Sequence, residues 1–229
     1  MAERHGLWTT FRAVVAALWL AGLYMAFIGT PDERTLGPSD RILFIHLGAA
    51  WTVAIAYSLA ALLSLLYLLR PQPRYDRWAA ASVEVGTVLT TAVLVSGSIW
   101  AKFAWGTYWT WDPRLTTTAV LWFLYLGYLM MRSSIDRPDQ RAKVSAIWAL
   151  VAFLDVPIVF EAVTWWRSIH PEVITTQGFA MPGSMVVAVF VFFAAVVGLF
   201  IELVRLRVRQ AEIESGIAVR KAQWMGQHT

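Results

Sequence analysis

Long apolar blocks separated by short polar connectors make up almost the whole chain. The blocks run at about 13–29, 42–69, 82–101, 115–131, 144–163 and 183–204. Apolar residues fill them continuously rather than in alternating stripes. A helix needs roughly 20 apolar residues to cross about 30 Å of hydrocarbon. Backbone N–H and C=O groups find no water at that depth, so helices satisfy them internally. The pattern predicts an all-α, polytopic integral membrane protein of about six transmembrane helices in a single domain, 1–229. The second block exceeds what a bilayer needs, so it tilts or projects, with its first turns at the interface. The first block follows Arg4 and Arg12 as in a signal peptide. No small-x-small cleavage site follows it, so it reads as a retained helix.

Composition agrees with the pattern. Hydrophobic residues make up 58% and charged residues 15%, against about 25% charged in soluble domains. The net charge of +4 would raise nucleic acid as a partner in a soluble chain. Here the basic residues sit between apolar blocks and set topology instead. Six spans place both termini on one side. Fourteen of the nineteen basic residues fall there: Arg4, Arg12, Arg70, Arg74, Arg77, Arg132, Arg137, Arg141, Lys143, Arg205, Arg207, Arg209, Arg220 and Lys221. Arg34, Arg41, Lys102, Arg114 and Arg167 fall on the other. The bias puts both termini in the cytoplasm, so 30–41, 102–114 and 164–182 face outward. The tail from Arg205 to Thr229 reads as a helical extension with a frayed end, its RLRVR run a topology anchor.

Several chemistries are excluded. The chain has no cysteine, hence no disulfide, no thiolate metal site and no C-x-x-C-H for covalent haem. It has no G-x-x-x-x-G-K-[ST] loop; any ATP-driven work needs another chain to bind the nucleotide.

The unusual residues gather on the outer face. Of four histidines, His5 and His228 lie in the termini. His46 lies one turn into the second span, and His170 follows Trp165 and Trp166 in the last outer loop. Between them come Trp100, Trp105, Tyr108, Trp109 and Trp111. Aromatic belts at membrane interfaces need no ligand. Three tryptophans in seven residues around Gly106 exceed a belt, and flat indole rings suit stacking on a large planar ligand. A lone interfacial histidine is usually structural; two on one side, without a carboxylate cluster, suit the axial positions of haem iron. A closed zinc site would need four ligands. Asp112 and Pro113 fit an N-cap and first helical residue. Arg41, Lys102, Arg114 and Arg167 are candidates for haem propionates, or simply solvate in the headgroups. Intramembrane acids mark function by default; Asp155, two residues before Pro157, also fits the support of a kinked helix, and Glu84 a pairing with Arg77.

The segment WGTYWTWDPRLT, residues 105–116, resembles the tryptophan-rich signature of the WWD haem-handling membrane proteins of cytochrome c maturation. Its RLT ending, the six-span layout and the length resemble the haem exporter protein C (CcmC) family most. GSIWAKFAWG before the signature and WWRSIHP after the fifth block also fit. The resemblance implies that His46 and His170 ligate the iron of a non-covalent haem b. It carries the signature onto Trp105, Gly106, Trp109, Trp111, Asp112 and Arg114. It implies haem presented at the periplasmic face of a bacterial inner membrane to a haem chaperone (CcmE), with ABC-type partners CcmA, CcmB and CcmD and surrounding membrane lipid. On this reading the protein is not an enzyme. Two other readings compete: a cytochrome c haem lyase acting directly on apocytochrome, and a small-molecule permease centred on Asp155.

Overall fold

The computed structural model describes residues 2–32, 36–171, 173–175 and 178–226; Arg34 and His228 lie outside them. Helices dominate: α1 (Ala2–Tyr24), α2 (Ile42–Leu69), α3 (Pro73–Trp105), α4 (Pro113–Ser133), α5 (Pro138–Phe153), α6 (Asp155–Trp165) and α7 (Gly183–Gly226). A π turn, Met25–Gly29, ends α1, and a 3₁₀ turn, Pro38–Arg41, leads into α2. The loop after α6 holds a two-stranded antiparallel hairpin, β1 (Ile174–Thr175) with β2 (Gly178–Phe179).

Local chemistry sets the ends. Proline occupies the first turn of α3, α4 and α5, where its missing N–H costs nothing. Gly106, at φ 75°, takes the left-handed position that closes α3. The predicted fifth block is one apolar stretch in two pieces. Pro157 has no N–H to donate to the Phe153 carbonyl, and the helix breaks at Leu154. Helix α3 begins nine residues earlier than the apolar block, and α7 continues unbroken to Gly226. Apolar patterning reports the bilayer, not the helix.

Five segments are long and apolar enough to cross a membrane: Gly6–Gly29, Pro38–Leu69, Pro73–Trp105, Pro138–Trp165 and Gly183–Gly226. The chain is a multi-pass membrane protein. Helix α4 is outside that set, because three threonines and the rings of Trp122, Tyr125 and Tyr128 dilute its apolarity. Its 21 residues span about 32 Å, and it packs against α3, α5 and α6.

At the centre lies the antiparallel pair α2 and α3, with α7 across both and α1 on the outside of α7. Without a hydrophobic driving force in lipid, close backbone approach through small residues holds such helices. Ala49, Ala56, Ala60, Ala61, Ala79, Ala80 and Ala81 are all buried. A Cβ on Gly86 would lie 2.9 Å from Tyr57 Cε1, and one on Gly48 would lie 3.0 Å from the Phe193 nitrogen. Tyr57 stacks on Tyr125 at 3.5 Å and 2°, and its hydroxyl meets Thr90 Oγ1 at 2.8 Å.

Charges tie the helices at the end that holds the termini. Arg12 of α1 donates to Glu202 of α7 at 2.6 Å, and Arg205 stacks 3.7 Å over Trp8. Arg132 pairs with Asp76 through two 2.7 Å hydrogen bonds. Glu84 pairs with Arg207 of α7, not with Arg77 as expected from sequence. Arg77 reaches instead toward Glu212, at 3.7 Å, because α7 runs beside α3 well beyond its apolar part.

Gly86→Leu should destabilise the α2–α3 pair by about 1–3 kcal/mol through overpacking against Tyr57. A lower unfolding temperature in detergent checks this; an unchanged one would show that the contact yields.

Candidate functional site

At the end opposite the termini, α2, α3, α4, α6 and the last outer loop enclose a cavity of about 350 Å³. Ligand pockets start at roughly 300 Å³. Its wall brings together His46, His170, Trp100, Trp105, Trp109 and Arg114, from five separate segments. Gly106, Trp111 and Asp112 do not line it. Trp111 is 81% exposed, its ring edge-on to Trp109 at 5.8 Å. Gly106 turns the chain out of α3, and Lys102 Nζ caps its carbonyl at 2.9 Å.

Asp112 is buried and holds the outer segments to each other. It starts α4 by accepting from the Arg114 backbone N–H at 3.0 Å. Its other oxygen accepts from Ser168 Oγ at 2.7 Å and from the Ile169 N–H at 2.9 Å. Ser168 Oγ in turn accepts from the His170 N–H at 3.0 Å. Burial raises the Asp112 carboxyl pKa, but these hydrogen bonds, with His170 nearby, outweigh it and hold the pKa below the ordinary value. The sequence showed the cap; the tie to His170, 58 positions away, was invisible in it.

The two imidazoles have assignable hydrogens. Ser96 Oγ lies 2.9 Å from His46 Nδ1 and 2.7 Å from the Ala92 carbonyl. A hydroxyl has one proton, and the carbonyl can only accept it. His46 Nδ1–H therefore donates to Ser96, and Nε2 keeps its lone pair. His170 Nδ1 lies 3.1 Å from the Pro171 carbonyl, which can only accept, and 3.5 Å from Arg114 Nη1, which can only donate; the shorter contact favours Nδ1–H, which leaves Nε2 as an acceptor. Burial, reinforced by the Arg114 guanidinium, lowers the His170 pKa to about 4. On this assignment the lone pair of each ring lies on Nε2. Among the described residues no three His, Cys, Asp or Glu groups cluster as a metal cage, so this donor set fits an ion held in a macrocycle better than a bare cation.

Aromatic rings make the walls. Trp105 sits edge-on to Trp100 at 5.3 Å and to His170 at 6.3 Å. Trp100 donates to Asp40 at 3.1 Å, which locks α3 to the 3₁₀ turn before α2. Arg114 donates to the carbonyls of Val159 and Phe160 on α6, at 3.3 and 3.1 Å. Arg41 pairs with Asp32, outside the cavity. Ser96, Gly97 and Ser168 escaped the sequence reading, since a small residue, in α3 or in the loop after α6, carries no pattern of its own.

The family profile described as Heme exporter protein C matches residues 1–223. The chain belongs to the Heme exporter protein C family. A Heme exporter protein C from Bradyrhizobium diazoefficiens is 30% identical over 240 positions, covering 95% of this chain and 91% of that protein. The Escherichia coli K12 protein of the same name is 32% identical over 166 positions, covering 71% and 66%. A putative cytochrome c biosynthesis ccmC-like mitochondrial protein from Marchantia polymorpha is 31% identical over 187 positions, covering 81% and 75%.

Two outcomes follow from this geometry in the family member. A Cβ on Gly97 would lie 2.9 Å from His46 Cε1, so Gly97→Ala should displace that ring and alter any spectrum that reports it, while the fold survives. The His170 pKa is lowered from 6.5 to about 4. The unfolded chain therefore takes up the proton first, and stability falls as pH drops from about 6.5 toward 4. His170→Gln should flatten that part of the pH–stability curve; an equal slope in the variant would remove His170 as its source.

Proposed function

We propose that this protein binds haem b non-covalently in the outer cavity and delivers it to a periplasmic haem chaperone for c-type cytochrome maturation. Family membership ties the chain to haem handling in cytochrome c biogenesis. The observation that carries the finer reading is the pairing of two Nδ1-protonated imidazoles, His46 and His170, on one tryptophan-lined cavity. Haem iron accepts two axial nitrogens. His46 comes from a rigid helix and His170 from a loop, so one ligand is fixed and the other can leave with the loop. Trp105 and Trp109 offer flat faces to the macrocycle, and Arg114 a cation for a propionate. Trp111, standing outside the cavity, is placed to meet a visiting protein. Asp112 holds His170 in register rather than touching haem, and Gly106 gives the loop its turn.

In this reading α4 is the sixth span, and positive residues keep both termini cytoplasmic. The cavity then opens to the periplasm of a bacterial inner membrane. The resemblance supplies the partners: the chaperone CcmE, the ATPase CcmA, the membrane subunits CcmB and CcmD, and surrounding lipid.

Protein purified with its membrane should carry haem with a bis-nitrogen optical spectrum, and His46→Ala and His170→Ala should each weaken retention by tenfold or more, the scale of losing a metal's supporting contacts. Full haem with unchanged spectra in both variants would refute the axial assignment. Covalent haem on CcmE, formed in vesicles holding this protein and its partners but absent with either variant, would support delivery. Thioether formation on apocytochrome by this protein alone would replace delivery with a lyase.

A further inference from the structure

Ser96 sits on α3 across from His46. Its hydroxyl is committed twice. It donates to the Ala92 carbonyl at 2.7 Å, with the Val93 carbonyl at 3.3 Å, and it faces His46 Nδ1 at 2.9 Å. The same donation to a carbonyl four residues back recurs along this helix at Thr87, Thr90 and Thr91. Those threonines show that α3 accommodates the arrangement repeatedly. Only at Ser96 does the oxygen also meet an imidazole nitrogen.

We propose that Ser96 is the positioning residue for His46: it fixes the Nδ1–H tautomer and the ring plane, so that Nε2 alone is offered to haem iron. The proposal rests on the haem-binding reading above, and adds the residue that makes one of its ligands competent. Two constraints act on the ring together. Gly97, the next residue, leaves room for Cε1, where a Cβ would stand 2.9 Å away. Ser96 then supplies a side-chain acceptor at 2.9 Å that, beside the Val93 carbonyl also in reach of the ring, gives it an orientation within that room. Without the Ser96 oxygen only the backbone contact favours Nδ1–H, the neutral ring carries its proton more readily on Nε2, and the Nε2–H form cannot bind a metal through that nitrogen. Ligating histidines commonly donate their second nitrogen to a neighbouring oxygen, which raises ligand basicity and fixes the ring. A serine oxygen whose own proton is already given to a carbonyl is a better acceptor than a free hydroxyl, since hydrogen bonds in a chain polarise one another. The device also works at the membrane edge without burying a charge, as a carboxylate partner would.

The tautomer is readable without haem. In haem-free protein labelled with ¹⁵N-histidine, the wild type should show His46 protonated at Nδ1 and bare at Nε2. Ser96→Ala should give a mixture or the reverse, and Ser96→Thr, which keeps the hydroxyl, should match the wild type. In the haem-loaded protein Ser96→Ala should weaken retention by about tenfold and raise the haem midpoint potential, because a less basic imidazole stabilises ferric iron less. Ser96→Thr should restore both. A wild-type spectrum with His46 protonated at Nε2 would overturn the proposal outright, whether or not the alanine variant folds. So would Ser96→Ala with unchanged tautomer and potential. Failure of the wild type to bind haem at all would sink the haem reading instead, and leave the nitrogen assignment standing on its own measurement.

Discussion

Three hydrogen bonds end on the Asp112 carboxylate, and the arrangement of the outer cavity depends on them. One comes from the first turn of α4, two from the loop that carries His170. A loop of this length after a helix has many conformations available, and fixing them costs about 1–2 kcal/mol per residue. A buried carboxylate that needs several donors to offset its desolvation selects the conformations that provide them. The acid therefore closes the loop onto the bundle, and His170 follows from Ser168 two residues earlier. Removing the carboxylate would take the side-chain cap from α4 and two hydrogen bonds from the loop, which would keep the ring contacts of His170 with Trp105 and of Phe179 with Phe190.

The rest of the molecule makes that closure possible. The α2–α3 pair is packed through alanine and glycine, so its axes are fixed closely and His46, Ser96 and Gly97 meet in one register. Trp100 pins the same pair at its outer end through Asp40. On the other side, Pro157 breaks the fifth apolar block and frees α6 to lean against α4 instead of continuing the line of α5. That lean brings the carbonyls of Val159 and Phe160 to Arg114. Asp155 opens α6 with one buried oxygen that no described group satisfies, so the break carries a cost that straight helices avoid.

Much of this was legible from the chain. Apolar blocks implied the membrane and brought His46 and His170 to the same end of the bundle, because bilayer thickness acts on sequence directly. Pro157 announced the break. Asp112 and Pro113 announced the start of α4. What stayed hidden depended on contacts between distant segments. Glu84 looked like a partner for Arg77, close by in sequence, but α7 runs on past its apolar part and brings Arg207. Trp111 belongs to the same signature as Trp105 and Trp109, yet one side of the loop faces the cavity and the other faces away. Ser96 is one of many small polar residues on α3, and only its meeting with His46 distinguishes it.

Arg114 shows how the two levels join. Its backbone N–H completes the cap of Asp112, while its guanidinium crosses to α6 and lies beside His170. Its contact with His170 Nδ1, at 3.5 Å, is longer than the 3.1 Å contact of that nitrogen with the Pro171 carbonyl, to which the nitrogen gives its hydrogen. What remains is the field of a fixed cation on a half-buried imidazole, and that field disfavours a second positive charge. The ring stays neutral across the physiological range, which is the form a metal needs. A cation in this position thus serves the cavity before any anionic ligand arrives. A propionate that later paired with Arg114 would relax that field only after coordination had made the protonation of His170 irrelevant.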